Sequence, residues 1–104
     1  MAFNISITPA AVTPTGTTNT TLFTAAADTS VMVDVCNIGT GTVKVRVGIT
    51  PSGGSVHWKV YDLALIAGDS AMNLGPWFLQ NGDTVTVRTD TANAVTFSVT
   101  GVRT

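Results

Sequence analysis

The sequence predicts an all-β protein: a single antiparallel β-sandwich, jelly-roll-like, preceded by an extended N-terminal arm. Three observations indicate this fold class. Short runs of alternating apolar and polar residues recur at the spacing of about 8–12 residues that is typical of sandwiches. Clusters of Gly, Asn, Asp and Pro separate these runs and favour turns. β-Branched Val and Thr dominate, and no long stretch repeats with the helical period of about 3.6 residues.

The beginning of the chain differs from the remainder, and we divide the sequence into an arm, 1–19, and a β-sandwich domain, 20–104. The prolines and the glycine of the arm disfavour a helix and favour an extended chain. Its first residues alternate apolar with polar side chains, a pattern that could add a short strand to a neighbour. We therefore expect Phe3, Ile5 and Ile7 to contact a binding partner.

Seven or eight strands are predicted in the sandwich domain, each bounded by a turn cluster. The eight candidates, in chain order, cover 21–25, 31–38, 42–50, 55–65, 70–74, 77–80, 83–90 and 94–102. In 42–50 the valines face one way and Lys44 and Arg46 the other, as in a sheet with one dry and one solvated face. The buried face of 31–38 stays open, because both of its faces are apolar.

The stretch "SVHWKVYD" contains the single histidine and the single tyrosine of the chain. Strand alternation places Trp58 in the core, and His57 and Tyr61 on an outer or interfacial surface, as candidate partner-binding residues. After Asp62 the apolar residues change phase, which predicts a β-bulge there or a bend into the other sheet. The predicted core comprises Leu22, Val33, Val45, Val47, Trp58, Val60, Val85, Val87, Phe97 and Val99.

Few charges are available to the surface of this protein. Charged residues make up 11% of the chain, against about 25% in typical soluble domains. Glutamate is absent, and the net charge of −1 argues against nucleic-acid binding through a basic patch. Such a surface suits packing against other proteins.

No apolar run reaches the roughly 18 residues of a membrane span, and no signal peptide is expected. Cys36 is expected to be a buried apolar residue rather than a reactive thiol.

Residues for catalysis or metal binding form no motif. His57 has no accompanying nucleophile elbow, so we expect no enzyme, although a small hydrolase centred on His57 remains an alternative. The six Asp are scattered without the spacing of a calcium loop, and no Cys or His pair suggests zinc. Asp69 and Asp83 each follow Gly in predicted turns, which is ordinary turn chemistry. We expect neither a metal nor a cofactor.

Trp77, Phe78 and Leu79 follow each other directly after a Gly-Pro pair that is expected to interrupt a strand. Three consecutive apolar side chains cannot all point inward, so at least one is expected to face a neighbour. Trp77 and Phe78 are therefore candidate partner-binding residues. Together with the low charge, they predict a homo-oligomer, with a trimer favoured over a dimer.

Across 20–103 the sequence resembles small virion proteins of tailed bacteriophages. The segments that carry the resemblance are "LFTA", "VMVDVCNIGTGTVKVRVGITPSGG", "YDLALIAGDS" and "LQNGDTVTVRTDTANAVTFSVTGV". In those proteins a β-sandwich carries a "-CN-" strand, a "V-V-x-V-G-I" strand followed by a Ser-Gly-Gly turn, and a "GD"-initiated strand near its C-terminus.

The resemblance implies a structural role in a phage particle. The first expectation is a capsid decoration or cement protein, which binds the outer surface of the head and stabilises it. The alternative is a tail, baseplate or fibre module that binds a receptor or a neighbouring virion protein. The implied partners are the major capsid protein or other virion proteins. The implied location is the virion, after synthesis in the host cytoplasm.

Overall fold

The structure is a computed structural model that describes residues 5–104. Its strands are β1 (Ile5–Ser6), β2 (Ala10–Val12), β3 (Thr20–Thr24), β4 (Thr29–Asn37), β5 (Val43–Thr50), β6 (His57–Leu65), β7 (Ser70–Leu79), β8 (Thr84–Thr89) and β9 (Val95–Arg103). They form two antiparallel sheets. Sheet A has the order β2-β9-β4-β7, with β1 also paired to β9, and sheet B has the order β3-β8-β5-β6.

The order of β2 to β9 is that of a jelly roll, in which the chain passes repeatedly between two sheets, and β1 is an additional strand of sheet A. From β2 to β9 every connection crosses to the other sheet except the β5–β6 hairpin. The predicted all-β, jelly-roll-like sandwich is therefore confirmed.

Residues 5–12 are extended, as expected, but they pair with β9 of their own chain rather than with a neighbour. Ile7, between β1 and β2, is 8% exposed and belongs to the core, and its N–H donates to the Gly101 carbonyl at 3.0 Å. Ile5 remains 47% exposed. Phe3 lies outside the described residues. The predicted contact of Ile7 with a partner is thus replaced by a contact within the chain.

Two predicted strands, 70–74 and 77–80, form the single strand β7. The register on β4 shifts between the Val31–Trp77 pair and the Val33–Leu74 pair, so three residues of β7 oppose two of β4. The extra residue is a bulge beside Pro76. An edge strand accepts proline there because its outward N–H positions need no partner in the sheet. The Gly-Pro pair bends the strand without ending it.

The core between the sheets consists mainly of valine. Its largest fully buried side chains are Phe97, Leu79, Val31, Val33, Val35, Val43, Val45, Val47, Val85, Val87, Val95 and Val99. In β4 the three valines point inward, and Met32 and Cys36 lie half-buried on the outer side, which resolves the face that the sequence left open. Eight of the ten predicted core residues are buried, and Val60 packs partly buried against them.

The prediction that Trp58 lies in the core is wrong. The β5–β6 register pairs Val47 with Val60 but Gly48 with Trp58, so one step along β5 corresponds to two along β6. This bulge turns Trp58 to the outer side of sheet B, the side of Gly48. The predicted bulge near Asp62 is also present: the register shifts there, and Asp62 adopts φ 54°.

Asn37 holds together the loops at one end of the sandwich. Its buried side-chain Nδ2 donates hydrogen bonds to the carbonyls of Gly41 (2.8 Å) and Leu65 (3.0 Å). Its Oδ1 accepts one from the Gly39 N–H at 2.9 Å. One amide thus satisfies backbone groups in the β4–β5 loop and at the end of β6.

Replacing this amide tests its structural role. Because Asn37→Ala removes three hydrogen bonds, one of them buried, it should lower the free energy of unfolding by about 2–4 kcal/mol. Urea denaturation would measure the change. The exposed Asn19→Ala is the control and should stay within about 0.5 kcal/mol of the parent. An Asn37→Ala protein of parental stability would contradict the assignment.

Asp83 ties the loop after β5 to the turn before β8. Its carboxylate accepts hydrogen bonds from the backbone N–H groups of Gln80 (2.9 Å) and Ser52 (3.0 Å). These two bonds favour the ionised form and hold the pKa of Asp83 below its usual value. Part of the acid sensitivity of the fold should therefore originate in this turn.

The lowered pKa of Asp83 decides how its contribution to stability changes with pH. Asp83 stabilises the fold above the unfolded pKa of about 3.9, and this contribution is lost as the pH falls through the lower folded-state pKa. Asp83→Asn should therefore lose less stability than the parent between about pH 5 and pH 2. Thermal unfolding over this range would measure it. As a control, Asn19→Ala should keep the parental pH dependence, because it changes no titratable group.

Candidate partner-binding surfaces

Three of the predicted site residues meet at one open side of the sandwich. There β6 and β7, the edge strands of the two sheets, border a hollow of about 380 Å³ whose lining includes His57, Lys59, Trp77 and Phe78. Ile49 lies at its floor, because it is buried and pairs with His57. The hollow thus combines an apolar floor with two basic side chains at its rim.

The three consecutive apolar residues of β7 have three different environments. Leu79 is buried, Trp77 is half-buried against the core, and Phe78 is 80% exposed. This follows from strand alternation, because Trp77 lies opposite the buried Val31 and Phe78 lies opposite Ser30 on the outer side. Of the three side chains, Phe78 would therefore gain the most from burial by a binding partner.

Phe78 belongs to a row that crosses the outer face of sheet A. In register, Phe78 on β7 faces Ser30 on β4, which faces Val102 on β9, which faces Ser6 on β1. Val102 is also exposed. We call Phe78, Ser30 and Val102 the outer row. Two large apolar side chains are separated here by a single small hydroxyl group. Another protein can pack onto this surface at little cost, because few polar groups lose their water. Ile5 lies at the same end of the sheet.

Tyr61 lies away from these residues, on the outer face of sheet B. The guanidinium of Arg46 stacks 3.9 Å from the centre of the Tyr61 ring and 5.7 Å from that of Trp58. Arg46 Nε donates to Asp62 Oδ1 at 2.7 Å, and Nη2 to Oδ2 at 3.4 Å. This ion pair holds the pKa of Asp62 below its usual value. Tyr61 remains 61% exposed, so the cluster presents an aromatic ring to solvent.

Two residues of these surfaces, Arg46 and Val102, were not among the site residues predicted from the sequence. Arg46 appeared as a solvated residue, although both aromatic rings and Asp62 hold it in place. Val102 was detectable, since alternation continued from the buried Val99 puts position 101 inward and Val102 outward. Arg46 was not detectable, because its partners depend on the bulges of β6.

No group of three or more His, Cys, Asp and Glu side chains among residues 5–104 could hold a metal ion. No helix in the same range is long and apolar enough to cross a membrane.

A solved virus chain has a similar fold. A chain in the structure of infectious bursal disease virus Gx strain has a TM-score of 0.52 and 14% identity, covering 94% of this chain and 32% of its own. A chain in the crystal structure of the T13 IBDV viral particle has a TM-score of 0.49 and 12% identity, covering 94% of this chain and 30% of its own. No protein-family model and no curated protein matches the sequence.

These similarities concern the fold. At such low identity the first similarity supports the jelly-roll architecture, and side-chain roles do not transfer with it. The protein spans about a third of the length of the virus chains that it matches.

The Trp58 position depends on the absence of a side chain at Gly48. A Cβ atom at Gly48 would lie 2.7 Å from the His57 carbonyl and 2.9 Å from Trp58 Cε3. Gly48→Ala should therefore displace the indole and lower the free energy of unfolding by about 1–3 kcal/mol. The Trp58 indole N–H signal in NMR spectra should shift. Gly41→Ala is the matched control, since nothing lies within 4 Å of its Cβ. An unshifted Trp58 signal would contradict this packing.

Proposed function

We propose that this protein is a virion structural protein that packs against other virion proteins through the outer row of sheet A. The observation that carries this proposal is the exposure of Phe78 and Val102, which lie in one row on the outer face of sheet A with Ser30 between them. An apolar side chain in water favours association, because burying a Phe or Val contributes about 1.5–3 kcal/mol.

Two further observations support a place in a virus particle. The jelly roll is a common fold of viral capsid domains, though lectins and cupins share it. The similar solved chain belongs to a structure of infectious bursal disease virus. The low charge of the surface also reduces the cost of removing water from it on assembly.

The specific role that we propose is decoration of an assembled phage head. The sequence resemblance to phage virion sandwiches supports it, and the role is structural rather than catalytic. The partner would be the major capsid protein, and the protein would act in several copies, with trimers favoured. Attachment of many copies would stabilise the head by adding contacts between neighbouring capsid subunits.

A tail, baseplate or fibre module is the second candidate. The cluster of the exposed Tyr61 and Arg46, which lies on sheet B and not on the sheet of the outer row, favours this role. An aromatic ring stacked with a cation suits recognition of a ligand. Electron microscopy of particles carrying labelled protein separates the two roles. Label spread over the head supports decoration, and label confined to the tail supports the module.

Binding to heads assembled without this chain tests the outer row. Phe78→Ser with Val102→Ser should weaken binding by roughly 100-fold, because two buried apolar side chains would be lost from the contact. A sedimentation assay with labelled protein measures the affinity. Thermal unfolding should change little, since both side chains are exposed in the free protein.

Ile66→Ser is the matched control, since Ile66 is 65% exposed but lies between β6 and β7, outside sheet A. It should bind heads like the parent. Equal weakening by Ile66→Ser would mean that the outer row is not the contact. Undiminished binding of the double variant would overturn the proposed surface. Heads that are equally heat-stable with and without the parent protein would overturn the stabilising role.

A further inference from the structure

The outer face of sheet B places basic side chains next to each other, which lowers the stability of the folded protein. Arg46 on β5 lies directly opposite Arg88 on the neighbouring strand β8. Lys44 lies two residues before Arg46, on the same face of β5. Like charges directly opposite each other in an antiparallel pair are destabilising. Three of the five basic residues of the chain are thus gathered at one place.

The cations differ in what holds them. Arg46 is fixed by Asp62 and by the Tyr61 ring. Among residues 5–104 no carboxylate oxygen lies within 4.0 Å of the charged groups of Lys44 and Arg88. The two groups therefore retain donors for an anion from outside the chain, and Arg88 presents the fork that matches a carboxylate.

These side chains border a hollow of about 280 Å³, which Thr17, Asp62 and Asp90 also line. The hollow is open to solvent and larger than a single ion requires, so a group the size of one sugar can enter it. The Asp90 carboxylate is held in place, because its Oδ1 accepts hydrogen bonds from the Lys44 N–H and the Thr91 hydroxyl, both at 3.0 Å.

The lining contains both cationic and carboxylate side chains, and this combination restricts the class of ligand that fits. Lys44 and Arg88 supply donors for an anionic group, whereas the carboxylates of Asp62 and Asp90 supply acceptors. A chain of phosphates or acidic side chains would be repelled by these carboxylates. A ligand with one carboxylate and several hydroxyl groups satisfies both kinds of partner, because its hydroxyls donate to Asp62 and Asp90.

We propose that this hollow binds an acidic sugar of a glycan, whose carboxylate is held by Arg88 and Lys44 and whose hydroxyls donate to Asp62 and Asp90. The inference goes beyond the proposed head attachment and does not depend on it. The hollow lies on sheet B, and the outer row lies on sheet A. Both surfaces can therefore be occupied at once.

NMR titration of the full chain with N-acetylneuraminate and glucuronate tests the site, with glucose as the neutral control. Backbone signals of Lys44, Arg88 and Asp90 should shift with an acidic sugar and stay in place with glucose. Arg88→Gln should weaken the binding at least about tenfold, which corresponds to the loss of one charge-assisted hydrogen bond. Its melting temperature should be unchanged or higher, because the repulsion from Arg46 is removed.

Lys59→Gln is the charge-matched control, since Lys59 lines the hollow between β6 and β7 instead. It should bind the sugars like the parent. The proposal is overturned if neither acidic sugar binds at high millimolar concentration, or if Arg88→Gln binds them as well as the parent. Tighter binding of an acidic peptide or a single-stranded oligonucleotide at these residues would overturn the sugar assignment. Head binding by Arg88→Gln should be unaffected, which separates this outcome from the fate of the proposed function.

Discussion

The dry layer of valine between the two sheets is the packing on which the rest of the structure depends. Valine is short and stiff, and it fits the pleated surface of a strand. Ten of the twelve largest fully buried side chains are valines. Such a layer fills the space between sheets about 10 Å apart but leaves little room for aromatic rings. Phe97 is buried within it, whereas Trp58, Tyr61 and Phe78 lie outside it. Trp58, Tyr61 and Phe78 therefore lie on the surface, where they form part of the candidate binding sites.

The irregular strands at the edges decide where these side chains point. β6 and β7 are edge strands, and each changes register twice against its neighbour. Bulges and a proline also discourage unwanted pairing of an exposed edge with another chain. At the opposite side, β1 and β2 cover β9 with strands of two and three residues, too short to offer a long free edge. The same bulge that blunts β6 rotates Trp58 outward over Gly48.

The sequence was sufficient to predict the fold wherever strands are regular. Alternation in β5, β8 and β9 identified the buried valines, and the change of phase after Asp62 revealed one bulge. It could not reveal the bulge between Trp58 and Val60, because a tryptophan two residues before a valine fits either face. It also could not show what the arm pairs with, since the alternation of Ile5 and Ile7 suits any open edge. Of the candidate site residues, Phe78 followed from crowding of three apolar neighbours, whereas the surroundings of Arg46 required the folded chain.

The two faces of the sandwich differ in what covering them would cost. Covering the outer row removes apolar surface from water and adds stability, as the burial of any Phe or Val does. Covering the face of sheet B would strip water from Lys44, Arg46 and Arg88, and this is costly unless a partner supplies matching acceptors. A protein attached to a particle should therefore turn sheet A toward the shell and sheet B toward solvent. In that orientation the acidic-sugar hollow faces outward, so attachment and ligand binding would use opposite sides of one thin valine layer.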